Sequence, residues 1–308
     1  MKVIVAGGTG LIGRQLTKEL AKNGCEVTIL SRNPEKVISL PKGVDVVAWD
    51  GKSVQGWGEL VNGSRAVVNL SGTNIGGESF LPSRLTEERK RGIRDSRILS
   101  GKALVAAIES AEVKPKVFIQ SSAIGYYGFH EEEKLNENSP PGDDFFAEWR
   151  DWEKVTAPVE EMGVRRAIIR SGVIFSTGKG SALNRLVLPF KLFGGGPIGD
   201  GKQYLSWIHE VDEARAIRFL IETEEAHGAF NLTAPNPATN TEVGKAIAKV
   251  LNRPYYLPAP EFAFNLAFGE VGKLVTKGQR VMPERLLEHG FEFQFPELEP
   301  ALQDILSN

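Results

Sequence analysis

Gly7, Gly10 and Gly13 stand three residues apart in Gly7-Gly8-Thr9-Gly10-Leu11-Ile12-Gly13, directly after the apolar run 1–6 and before a helical pattern. Strand, glycine turn, helix and second strand in one unit is the context in which such spacing binds a dinucleotide. One glycine permits a tight turn, one lets the backbone approach a pyrophosphate, and one lets the helix pack against the strand. Free N–H groups and the positive dipole at the helix start hold the phosphates. Thr9, Leu11 and Ile12 therefore fall beside them.

The second strand ends in Ser31-Arg32, with Lys36 close behind. NAD sites carry Asp or Glu here, ~20 residues after the glycines, for the ribose hydroxyls. A carboxylate repels a 2′-phosphate, whereas a guanidinium and a hydroxyl bind one. The reading is NADP(H); the competing one is that Arg32 is a solvated surface charge.

Further candidates follow other strands. Asp50 ends the third on the adenine side, and Leu70, Ser71 and Gly72 should run along the ribose. Ser121 and Ser122 end the fifth strand beside the expected nicotinamide, or else cap backbone in the next turn. Ser171 and Val173 follow the sixth. Tyr126 and Tyr127 are phenols near this edge; such residues either supply an acid or pack a ring and anchor a hydroxyl. His209 could exchange a proton near neutral pH, or brace one part of the fold against another. His130, His227 and His289 lack a partner pattern, and no spacing suggests a metal.

These positions need a frame. Apolar runs at 1–6, 27–30, 44–48, 66–70, 116–120 and 166–170 alternate with helical stretches, including 86–110. That pattern predicts an α/β fold, a Rossmann-type doubly wound parallel sheet with ligands beyond the strands' carboxyl ends. A helix is expected to begin at Trp207 and run through Phe219, a last strand at 230–232, and a helix at 241–251 capped by Thr241. Residues 1–170 form the expected NADP-binding domain, with 205–235 returning to it. Residues 171–204 and 236–308 form a small C-terminal substrate-side lobe, in which glycine-rich 194–201 is a candidate lid.

Composition narrows the partners. A chain of 308 residues can bury about three quarters of its unfolded surface and needs no staples. With 37 basic and 39 acidic residues, and no basic stripe, nucleic acid is not an expected partner. The single Cys25 cannot form an internal disulfide and fits a reducing compartment. No apolar run reaches the ~20 residues a membrane helix needs, so no membrane insertion is expected. Strand begins at the second residue, which points to the cytoplasm, or to an organelle stroma if a transit peptide has been removed. The expected state is monomer or homodimer, with an unknown small-molecule substrate or a protein partner.

The chain resembles an extended short-chain dehydrogenase/reductase, and more narrowly the atypical "epimerase family" branch related to YfcH. Its plastid relatives carry a SulA-like cell-division label. The general motifs are the glycine loop, Asn69-Leu70-Ser71-Gly72, and Ser121-Ser122-Ala123 with Tyr126-Tyr127-Gly128. The branch motifs are Leu205-Ser206-Trp207-Ile208-His209, Asn231-Leu232-Thr233-Ala234-Pro235-Asn236-Pro237 and Gly278-Gln279-Arg280-Val281-Met282-Pro283. The resemblance implies NADP(H)-dependent oxidoreductase or epimerase-like chemistry, with Ser122 at the catalytic serine position. It also implies a Tyr-x-x-x-Lys pair, and this chain departs there. The residues four beyond its five tyrosines are His130, Glu131, Ile208, Ala259 and Pro260. The segment that should carry the pair has Phe145 or Phe146 in the tyrosine place and Trp149 or Arg150 in the lysine place. Losing a positioned acid costs a factor of ~10² to 10⁴ in rate. Two functions stay open: an enzyme in which Tyr127 or His209 handles the proton, and a non-catalytic NADP(H) sensor acting through a protein partner, for which the family label suggests cell or plastid division.

Overall fold

A computed structural model describes the chain except residues 38–39, 78–83, 143–150, 263–265, 267–268 and 308. Its strands begin with β1 (Lys2–Ala6), β2 (Glu26–Ser31), β3 (Val44–Ala48), β4 (Ala66–Asn69) and β5 (Val117–Ala123). Next come β6 (Lys134–Leu135), β7 (Arg165–Ser171), β8 (Val173–Phe175), β9 (Tyr204–Leu205) and β10 (Trp207–His209). The last are β11 (Gly228–Leu232), β12 (Ala238–Thr239) and β13 (Arg280–Val281). Seven strands form one sheet in the order β11-β7-β5-β4-β1-β2-β3, all neighbours parallel. This is the expected doubly wound sheet, with the chain reversing direction across the sheet between β1 and β4.

The central strands are mostly apolar because both faces of the sheet are covered. On one face α1 (Leu11–Lys22) buries Leu16 and Leu20, one helical turn apart, against Val3, Val5 and Ile29. On the other, α2 (Glu87–Ser110) buries Leu104, Ala107 and Ile108 against Ile4, Val67 and Phe118. The short helices α3 (Asp151–Lys154) and α4 (Pro158–Glu161) follow it. Phe145 to Arg150, where the tyrosine–lysine pair was sought, lie outside the described residues.

The smaller lobe has its own core. Phe175, Leu183, Val187, Phe190, Trp207 and Ile247 pack together there with Leu302. They come from β8 and β10, from α5 (Ala182–Lys191), from α7 (Asn240–Val250) and from the helix Leu298–Leu306. Two expectations need correction here. Trp207–His209 is a strand, paired in parallel with β8, and α6 (Glu210–Glu222) begins only after it. Thr239, not Thr241, caps α7; its hydroxyl accepts from Glu242 N–H and the Glu242 carboxylate reaches back to Thr239 N–H.

The three branch motifs, distant in sequence, are bonded to one another. Ser206 Oγ donates to Gln279 O and accepts from Val281 N–H, both at 2.8 Å. Asn231 Nδ2 donates to Met282 O, and Thr233 Oγ1 to Val281 O. Gln279 Nε2 donates to the carbonyls of Ile124 and Gly128, just beyond β5. The lobe is thus fastened to the edge of the sheet where ligands bind.

Candidate functional site

Register sets the cofactor edge. Ala6 pairs with Leu30 on one side and Asn69 on the other, and Asn69 pairs with Gln120. The residues that follow, Gly7, Ser31-Arg32, Leu70-Ser71 and Ser121, therefore emerge side by side. The glycine loop is tightly built. A Cβ on Gly7, which has φ +80°, would lie 2.7 Å from Leu70 O, and one on Gly13 would lie 2.3 Å from Gly7 O. Gly10 caps α1 without a side-chain bond, and no acidic residue stands in the first turn. The helix start is thus open to an anion.

The other expected cofactor residues divide. Ser31 Oγ accepts from Asn33 N–H at 3.2 Å and keeps its own hydrogen to donate. Arg32 is exposed at this edge. Ser71 Oγ is buried and has no hydrogen-bond partner among the described residues, a vacancy that a ribose hydroxyl fits. Gly72 packs against the Arg97 guanidinium. Thr9 O accepts from Arg14 Nε, and Ser121 O accepts from Gln120 Nε2. Asp50 Oδ1 accepts from Lys52 and Ser53 N–H at 2.9 and 2.8 Å. Those backbone bonds hold its pKa below the usual carboxylate value. Both bonds fall on Oδ1 and fix the turn after β3.

Beyond β5 and β7 lies a cavity of about 660 Å³, with Leu11, Ser122, Ser171 and Val173 at its sheet end and Leu186, Phe190 and Leu257 among its lobe residues. At the sheet end a polar chain runs inward. Ser122 Oγ donates to Glu153 Oε1 at 2.7 Å. Arg170 grips the same carboxylate with Nε to Oε1 at 3.0 Å and Nη2 to Oε2 at 2.9 Å. Its Nη1 donates to the Tyr127 hydroxyl, which donates to Asn231 Oδ1 at 2.7 Å. Asn231 N–H in turn donates to Glu137 Oε1 at 3.0 Å. Burial raises the Glu137 pKa. This network was not foreseen. Its signal in the sequence was Arg170 at the end of an apolar strand, since a buried guanidinium demands a carboxylate.

Two catalytic expectations change. Tyr127 is fully buried and both bonds of its hydroxyl are internal; burial pushes its pKa up to about 12. It ties the Arg170 side chain to that of Asn231 and does not line the cavity. Tyr126 does line the cavity, as does Tyr204 at the lobe side, and Arg170 Cζ lies 3.4 Å from the Tyr126 ring centroid. His209 is also buried. Its Nδ1 accepts from Val211 N–H, capping α6, while its ring stacks on Phe295 at 3.9 Å. Burial lowers its pKa. His209 braces the lobe, the second of its two readings, rather than handling a substrate proton. Ser171 Oγ donates to Glu213 Oε1 at 2.6 Å, and burial pushes the Glu213 carboxyl up to about 8. Among the described residues no acidic, histidine or cysteine cluster could hold a metal, and no helix is long and apolar enough to cross a membrane.

Sheet order, glycine loop and open helix start define a dinucleotide-binding protein of the Rossmann type. The NAD(P)H-binding family matches residues 7–189, and a domain of unknown function, DUF1731, matches 259–305. The epimerase family protein YfhF of Bacillus subtilis is 38% identical over 310 residues, covering 100% of this chain and 99% of that protein. A chloroplastic SDR39U1 homologue of Arabidopsis thaliana is 37% identical over 313 residues, covering 99% and 87%. The crystal structure of human epimerase family protein SDR39U1 with NADPH is 34% identical, covers 100% of both chains and has a TM-score of 0.88. UDP-glucose 4-epimerase of Thermus thermophilus, at 19% identity and a TM-score of 0.78, shares the fold. The chain belongs to the epimerase family of NAD(P)H-binding proteins.

Proposed function

We propose that the protein is an NADP(H)-dependent oxidoreductase whose substrate enters the cavity beside Ser122 and whose proton is handled by Tyr126 in place of a Tyr-x-x-x-Lys pair. One observation carries this reading: the start of α1 and the ends of β5 and β7 line both the cofactor edge and the cavity, through Leu11, Ser122 and Ser171–Val173. The relative crystallised with NADPH supports the choice of cofactor, as does Arg32 where NAD sites carry a carboxylate.

Bound there, the dinucleotide would supply or accept a hydride. The chain's own residues would do the rest. The glycine loop and α1 hold the diphosphate, Ser71 Oγ meets a ribose hydroxyl, and Ser31 with Arg32 meets the 2′-phosphate. Ser122 gives its single hydrogen to Glu153, so toward the cavity it offers lone pairs and orients a substrate hydroxyl as acceptor. Tyr126 exchanges the proton. The Arg170 guanidinium lies against its ring, with Cζ 3.4 Å from the centroid, and holds that ring in the cavity wall.

A second reading, NADP(H) sensing without turnover through a protein partner, draws on the sealed Tyr127 and the missing pair. The test is NADPH consumption or NADP⁺ reduction with a panel of carbonyls and alcohols, run on wild type, Tyr126→Phe and Ser122→Ala. Turnover in wild type that falls by about 10² or more in Tyr126→Phe, at unchanged NADPH affinity, supports the enzyme. Tight NADPH binding with no turnover on any substrate leaves the sensor.

A further inference from the structure

The cavity's lining is unlike a site that reads a sugar nucleotide. Among its described lining residues there is no Asp, Glu or His. Of its two cations, Arg185 donates through Nη2 to the carbonyls of Gly76 and Gly77, and Lys277 stands at the solvent side, 3.8 Å from Glu261. Its polar side chains mostly face inward to the protein. Ser122 and Ser171 donate to buried carboxyls. Ser206 is bonded as donor and acceptor, and Gln279 Nε2 holds two carbonyls. Asn240 Oδ1 accepts from Ile198 N–H and Ser181 Oγ from Leu183 N–H. What faces the space is largely Leu, Ile, Val, Phe and Pro side chains. Against these described residues a diphosphate or a ring of hydroxyls would lose water for few charged or hydrogen-bonding partners.

The mouth is apolar too. Leu257 lines the cavity and is 52% exposed. Beside it Tyr256 is 63% exposed, and on the facing loop Leu192 and Phe193 are 70% and 55% exposed. The two loops are joined, because Tyr256 and Leu257 N–H both donate to Gly195 O. Large apolar residues grouped at the mouth of an apolar cavity mark a ligand-binding groove.

We infer that the substrate is an elongated apolar molecule, an isoprenoid or acyl chain whose one oxygenated end reaches Ser122 and Tyr126, and not a nucleotide sugar. The inference rests on the reading of this cavity as the substrate site, and its test separates it from the cofactor assignment. Fluorescence of the 18-carbon polyene cis-parinaric acid is titrated with the full chain, with and without NADPH. The expected result is saturable enhancement, displaced by farnesol and not by UDP-glucose. Leu186→Glu and Leu257→Glu should each weaken probe binding at least about tenfold, because a carboxylate in the cavity must lose water or exclude the chain. NADPH affinity should stay at the wild-type value in Leu257→Glu, which alters an exposed side chain and keeps the fold.

Displacement by UDP-glucose, no enhancement at all, or wild-type probe affinity in both variants would overturn the inference. Probe binding without any NADPH binding would uphold the apolar cavity and remove the cofactor reading. NADPH binding without probe binding would do the reverse.

Discussion

Ser122 and Glu153 are joined by a buried hydrogen bond of 2.7 Å, and the same Glu153 carboxylate is gripped at both oxygens by Arg170. The serine at the reacting edge is thereby held in one orientation by a residue 31 positions away in sequence. Glu153→Ala leaves the Arg170 guanidinium buried without its anion. Removing one partner of a buried pair destabilises by about 3–5 kcal/mol. Denaturant unfolding should show a loss of that size, while Ser122→Ala, which removes one hydrogen bond, should lose only about 1 kcal/mol. Equal losses in the two variants would mean that the pair adds nothing beyond the serine bond.

The adjacent tyrosines should part company. Tyr127→Phe strands Asn231 Oδ1 and one Arg170 N–H, at a cost of about 1–3 kcal/mol. Tyr126→Phe should stay within about 0.5 kcal/mol of wild type and instead lose turnover. Thermal unfolding and activity measured on both variants decide it; a stable, inactive Tyr127→Phe would reverse the assignment.

Glu213 makes stability depend on pH. Its carboxyl sits at about 8 in the fold against an ordinary 4.5. Between those values the unfolded chain is ionised while the folded one keeps its proton, so stability falls as pH rises through the window. Each unit of pH removes up to about 1.4 kcal/mol. Glu213→Gln cannot ionise. Its stability relative to wild type should therefore climb from about pH 5 to about pH 8 and level off above. Urea titrations across that range measure the gap, and a gap independent of pH would show that Glu213 is ionised in the fold.

The sheet was legible because its strands are buried on both faces, and continuous apolar runs such as Val3 to Ala6 leave few alternatives. The glycine loop was legible because its chemistry is local. What failed was tertiary. Trp207–His209 looks like the first turn of a helix, and only its pairing with Val173–Phe175 makes it a strand. The cap is a different case: Thr239 replaces the expected Thr241, and its Thr239-x-x-Glu242 spacing is a local signal that was readable. Glu153 gives no signal on a short polar segment, because its importance comes from Arg170 on another element. The branch motifs could be recognised but not explained; their reason is the bonding of Ser206, Asn231 and Thr233 to residues 279–282.

The glycine loop allows a sharp check on binding. Gly13→Ala places a methyl group 2.3 Å from Gly7 O and 2.5 Å from Gly8 Cα. The loop must open, and NADPH affinity should fall by tenfold or more, on the order of 1.4 kcal/mol. Dye-monitored melting with and without NADPH reads this as a lost thermal shift; an undiminished shift would place the nucleotide elsewhere.

Arg32 is the residue through which this edge would choose NADP(H) over NAD(H). Titration calorimetry of NADPH and NADH against wild type and Arg32→Ala tests this choice most directly. The account predicts that wild type binds NADPH more tightly than NADH. It also predicts that Arg32→Ala weakens NADPH by about tenfold or more while leaving NADH nearly unchanged, as expected for the loss of a charge-assisted phosphate contact. Equal affinities for the two nucleotides in wild type, or an Arg32→Ala variant with undiminished NADPH affinity, would contradict it.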